Sequence, residues 1–117
     1  MKHSEALEQE KVVAWLRAQY AGVLFTASVQ EHSANIGKAM RRKRMGYKKG
    51  TPDLAIYEPR RDKYGLFVEM KAIKGGVLSD EQKVFLIQLE MRGYATLVCK
   101  GFKEAKDGIT NYLEDKP

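Results

Sequence analysis

Gly50-Thr51-Pro52-Asp53-Leu54-Ala55-Ile56-Tyr57-Glu58 and Leu66-Phe67-Val68-Glu69-Met70-Lys71 are two runs rich in β-formers, separated by Pro59-Arg60-Arg61-Asp62-Lys63-Tyr64-Gly65. The separator has the composition of a turn, so the stretch predicts a β-hairpin with strands over 53–58 and 66–71. If Glu58 pairs with Leu66, Asp53 comes opposite Lys71 and Glu69 falls on the diagonal. Strand alternation then puts Asp53, Glu69 and Lys71 on one face, while Leu54, Ile56, Val68 and Met70 point to the other. The three polar side chains gather at the end of the hairpin away from the turn.

Two carboxylates and an amine brought together this way suit metal-assisted hydrolysis of a phosphodiester. Asp53 and Glu69 supply hard oxygen ligands for Mg²⁺ or Mn²⁺, with the backbone carbonyl of Met70 as a further ligand. Such an ion makes a hydroxide available near neutral pH and neutralises charge on the phosphorus. Lys71 would orient the nucleophile and stabilise the developing charge. Each half of the pattern is ordinary alone, since Asp after Pro often enters a strand and Glu-x-Lys often alternates on a solvated one. Their combination carries the specificity.

Gly50-x-Pro52-Asp53 and Glu69-x-Lys71, with Ser79-x-x-Gln82 opening the next helix, resemble the virus-type replication-repair nuclease (VRR-NUC) domain. That family belongs to the PD-(D/E)xK superfamily, with archaeal Holliday junction resolvases and many restriction enzymes. The similarity runs from about Glu5 to Leu113, as in a stand-alone phage or bacterial member. It implies a restriction-endonuclease-like fold and a structure-selective endonuclease acting as a homodimer on branched DNA such as Holliday junctions. Gln82 would stand beside the metal site, although Ser79-Asp80-Glu81-Gln82 is also a capping box. A glutamate on the first helix, followed by a glutamine one turn on, would add a third acidic ligand. Glu5 and Gln9 fit this better than Glu8 or Glu10, being in line with Val12 and Leu16, but the helix dipole favours a first-turn glutamate without any such role.

Seven basic residues, Lys38, Arg41, Arg42, Lys43, Arg44, Lys48 and Lys49, occupy the stretch before the first motif with no acid among them, against a whole-chain net charge of +6. The remainder is close to neutral, so the positive charge is a local device aimed at phosphates. Gly37, Gly46 and Gly50 suggest a mobile DNA-contacting loop over about 30–50. Tyr47, inside the cluster, is the candidate for stacking on an exposed base. Nothing reads base sequence, so recognition of DNA shape is expected.

The other elements complete an α-β-β-β-α-β-α order. Ser4 caps a first helix over 5–20, a strand covers 23–29, and Ser79 caps a helix to about Arg92 with Phe85, Leu86 and Leu89 on its buried stripe and Gly93 as its stop. A strand over 94–99 follows, then a helix within 102–113 that Gly108 breaks or delays. Short connections between such elements predict an α/β fold, a mixed central β-sheet flanked by helices. With 117 residues and 44% hydrophobic content the chain builds one core, hence a single domain over 1–117.

Cys99 lies in an apolar run and reads as a buried hydrophobe. Trp15 reads as core or dimer contact, and His3 and His32 lack ligand-like spacing. No apolar run has the length of a signal peptide core or a membrane span, so a cytoplasmic protein without membrane contact is expected, and the resemblance implies phage or bacterial host cytosol. The competing function is a non-catalytic basic DNA-binding module, and the same metal chemistry would also permit RNA as substrate.

Overall fold

The computed structural model describes residues 2–28 and 35–114. Its elements are α1 (Lys2–Gln19), β1 (Phe25–Ala27), α2 (Ile36–Arg44), β2 (Leu54–Ile56), β3 (Leu66–Lys71), α3 (Asp80–Met91), β4 (Ala95–Lys100) and α4 (Phe102–Leu113). The four strands form one mixed sheet in the order β1-β2-β3-β4, antiparallel except for the β3–β4 pair. The expected α/β architecture is therefore present, with one helix more than the sequence predicts.

That helix is α2. Residues 36–44 are helical where a loop is expected, because Asn35 caps them, its side-chain oxygen accepting from the Lys38 amide at 2.8 Å. Gly46, at φ +101°, ends the helix with the paired bonds from its own amide to the Lys43 carbonyl and from the Tyr47 amide to the Arg42 carbonyl. Residues 29–34 of the expected strand and loop, His32 among them, lie outside the described residues, as does the His3 side chain.

Three further expectations are corrected. Helix α1 already runs from Lys2, so Ser4 is inside it and not at its cap. Ile56 pairs with Leu66, and Glu58 does not, which slides the hairpin register by two residues. Glu58 is drawn elsewhere: its carboxylate accepts from the Leu24 amide at 3.3 Å, and its carbonyl accepts from the Tyr112 hydroxyl at 2.6 Å. Finally, α4 passes unbroken through Gly108, since a Cβ there would come within 2.8 Å of Leu97. The glycine lets α4 settle closely on β4.

The core lies between the sheet and the α1–α4 pair. Val12 and Leu16 of α1, Ala105, Ile109 and Leu113 of α4, and the sheet residues Leu54, Ile56, Leu66, Val68, Met70 and Cys99 form it. Each large aliphatic side chain buried there contributes roughly 1.5–3 kcal/mol. Trp15 packs at its rim, edge-on to Tyr20 and Phe102. The free Cys99 thiol is buried, as expected, and burial pushes it up to about 11, out of reach of reaction or metal binding. Helix α3 takes the opposite face of the sheet, where Glu90 accepts a hydrogen bond from the Thr96 hydroxyl of β4. Among the described residues, no helix is long and apolar enough to cross a membrane.

Candidate active site

On the α3 face of the sheet, β3 runs three residues beyond the start of β2. Continuing the register by one step sets Asp53 across from Glu69, where the hairpin pattern alone predicts Lys71. A slip of two keeps every side chain on its face, so Asp53, Glu69 and Lys71 still share one. The Met70 amide, past the last β2 partner, donates to Asp53 Oδ2 at 2.7 Å. The N–H and C=O of one strand residue leave by the same edge, so the Met70 carbonyl is on the Asp53 side too.

Asp53 is 3% exposed, Glu69 1% and Lys71 9%. Around Glu69, Gln82 Nε2 donates to Oε2 at 3.0 Å, and Lys71 Nζ stands 3.7 Å from the same oxygen. The other oxygen, Oε1, is buried with no hydrogen-bond donor among the described residues. Burial pushes the Glu69 carboxyl up to about 9, helped by the charge and hydrogen bond of Asp53 and the charge of Glu5, and opposed by Lys71. Burial and the facing Asp53 charge thus favour a proton on this carboxyl pair in the protein alone.

A divalent cation fits this arrangement. It would replace the Glu69 proton and give Oε1, which accepts no hydrogen bond among the described residues, a positive partner, and hard oxygen donors of this kind suit Mg²⁺ or Mn²⁺ better than thiophilic ions. Among the described residues, no three His, Cys, Asp or Glu side chains converge to hold an ion by themselves. Two carboxylates, with water and substrate phosphate filling the shell, is how Mg²⁺ commonly binds.

The remaining candidates divide clearly. Of the α1 glutamates, Glu5 is half-buried and its charge reaches Glu69. Glu8 is committed to accepting from the Phe102 amide and from Lys11, both at 2.8 Å, and Glu10 is exposed. Gln82 holds both of its expected positions: Oε1 accepts from the Ser79 amide at 2.8 Å in the capping box while Nε2 reaches Glu69. Capping thus fixes the rotamer that presents the amide to the site.

Gly50 joins the two halves. It has φ +94°, and a Cβ there would lie 2.6 Å from the Glu81 carbonyl oxygen. The segment carrying Asp53 is thereby pressed against the turn of α3 that carries Gln82. The motif includes this glycine, but its packing role is visible only in the tertiary approach of α3.

Lys38, Arg41, Lys43 and Arg44 stand exposed on α2, and Lys48 and Lys49 on the following loop. None of the α2 residues is buried, and among the described residues α2 packs against no other helix or strand. Tyr47 differs from expectation: its ring is half-buried with the Arg42 guanidinium 6.0 Å from the centroid, and its hydroxyl is buried with no hydrogen-bond partner among the described residues. Its half-buried ring is therefore not a freely offered stacking surface.

The sequence profile of the VRR-NUC domain family matches residues 2–103. A solved structure described as a VRR_NUC domain protein superposes with a TM-score of 0.84 at 27% identity, covering 97% of this chain and 90% of that one. No curated protein matches the chain.

Proposed function

From the premise that the chain belongs to the VRR-NUC domain family, and is a nuclease-type DNA-processing domain, we propose that it is a Mg²⁺- or Mn²⁺-dependent, structure-selective DNA endonuclease. The observation that carries the metal dependence is the buried Asp53–Glu69 pair, facing Lys71, in which Glu69 Oε1 accepts no hydrogen bond among the described residues. Asp53, Glu69 and the Met70 carbonyl would hold the ion, with Glu5 contributing charge from α1. When bound, the ion ionises water near neutral pH and offsets charge on the phosphorane-like transition state. Lys71, held on the same face, orients the attacking water and adds a positive charge where the phosphate becomes more negative. Gln82 fixes Glu69 Oε2, and the α2 arm with Lys48 and Lys49 grips phosphates on either side of the scissile bond.

Branched DNA, such as a Holliday junction, is the proposed substrate, with a homodimer presenting two sites to paired strands. The test uses supercoiled plasmid, linear duplex, flapped and four-way substrates with Mg²⁺ or Mn²⁺. We expect cleavage of circular and branched DNA, faster on junctions than on linear duplex, and Asp53→Ala that binds without cutting. If neither protein cuts under any divalent ion while both bind DNA equally, a non-catalytic basic DNA-binding module replaces the nuclease. Matched RNA junctions as competitors check the choice of DNA.

A further inference from the structure

Along one flank of α3 lies a groove of about 680 Å³, walled on one side by the Lys48–Lys49 loop. Its floor is apolar, made by Val84, Phe85 and Leu89, and its rim is basic, with Lys48 and Lys49 at one end and Arg92 at the other. Gln88 lies along it, its side-chain oxygen accepting from Arg92 at 2.6 Å. At the end near the candidate active site stand Asp80 and Glu81, the latter 3.7 Å from Lys49.

These features select among ligands. The volume lies within the roughly 300–1,000 Å³ of pockets that take a small organic molecule, and is far too small for a duplex. An apolar floor gains nothing from a phosphate chain but does gain from the flat face of a base, and Phe85 offers it an aromatic neighbour. The basic rim complements the phosphates on either side of that base. The acids at the rim, which repel phosphate, suit the exocyclic amino groups of a base. The groove also adjoins the site, because Glu81 lines it while the next residue, Gln82, bonds Glu69. Successive helix residues point about 100° apart, so the groove and the site lie on neighbouring sides of one turn, a span that one or two nucleotides can bridge.

We propose that this groove seats one unpaired nucleobase of the DNA substrate, so that a nucleotide displaced at a branch or nick is held beside the turn of α3 that presents Gln82 to Glu69. The inference rests on the nuclease reading and names the feature of branched DNA that the enzyme would recognise. It predicts that a base, and not merely a backbone, is needed at the displaced position.

The experiment uses nicked duplexes carrying a one-nucleotide flap of 2-aminopurine or of an abasic tetrahydrofuran residue, bound by the full chain without divalent ions so that nothing is cut. We expect the base-bearing flap to bind about fivefold or more tightly than the abasic one, the scale of one stacked base, with 2-aminopurine quenched on binding. Val84 is 56% exposed, so Val84→Gln makes the floor polar without emptying the core. In that variant, checked for an unchanged fold by circular dichroism, the ratio of the two affinities should fall towards one. Equal affinities in the wild type, an unaltered ratio in Val84→Gln, or no binding of either flap would overturn the proposal. A protein that cuts junctions without discriminating the two flaps loses the groove and keeps the nuclease; one that discriminates them but never cuts does the reverse.

Discussion

Glu69 is the side chain at which stability and the proposed chemistry meet. Its carboxyl is pushed up to about 9, above its unfolded value, so the folded state holds this proton more tightly than the unfolded chain does. The stabilisation from that proton is complete below the ordinary carboxylate range and is lost as pH rises through the interval up to about 9. Without divalent ions, thermal melting should therefore show stability falling across that interval, and Mg²⁺ should restore it most at the alkaline end. Glu69→Gln can still accept from Gln82 and donate to Asp53 but has no proton to lose, so it should flatten the pH slope and melt at or above the wild type near neutrality. The same variant should cut at least about 100-fold more slowly, the scale of losing one transition-state electrostatic partner. At this scale much of the site is legible in the sequence: alternation alone puts Asp53, Glu69 and Lys71 on one face. The register is not, because Glu58 is held by Leu24 and Tyr112, residues distant in sequence that no hairpin rule anticipates.

Among the elements, the approach of the segment before β2 to α3 is the joint on which the site depends. Gly50→Ala places a Cβ against the Glu81 carbonyl at a backbone angle costly for any side chain, a combined penalty of about 3 kcal/mol. The melting temperature should drop by ~10 °C or more, and cleavage should fall further than stability alone explains, since Gln82 and Asp53 move apart. The arm α2 behaves oppositely. Replacing Arg41, Lys43 and Arg44 by Gln should leave the melting temperature within about 2 °C, as these residues are exposed and α2 buries none of its own. DNA affinity should weaken, and the slope of log affinity against log salt should flatten by about one unit for each phosphate no longer neutralised. In the sequence the arm reads as a loop, although Asn35, the helix-forming run of Lys, Ala, Met and Arg, and Gly46 all signal a helix. Three glycines outweigh them, yet two of these, Gly46 and Gly50, are a helix stop and a packing point.

The molecule as a whole is a sheet with unequal sides. One is sealed by α1 and α4; the other carries the site under the single helix α3. This division follows from the order of elements, since two long helices at either end of the sequence need a common apolar face. What that order could not reveal is that Glu8 of α1 caps α4, a bond between residues 94 apart. Glu8→Ala should cost about 1 kcal/mol through the missing cap while leaving the metal dependence of cleavage unchanged, which separates it from Glu5→Ala, expected to weaken the response to Mg²⁺. Because α2 leans on no other helix or strand among the described residues, its side chains answer to no packing partner there, and the body with the proposed site and the proposed DNA-contacting arm are free to change separately. Descendants of one such body could inherit the same bond-breaking chemistry and acquire new targets by exchanging a handful of residues at the surface.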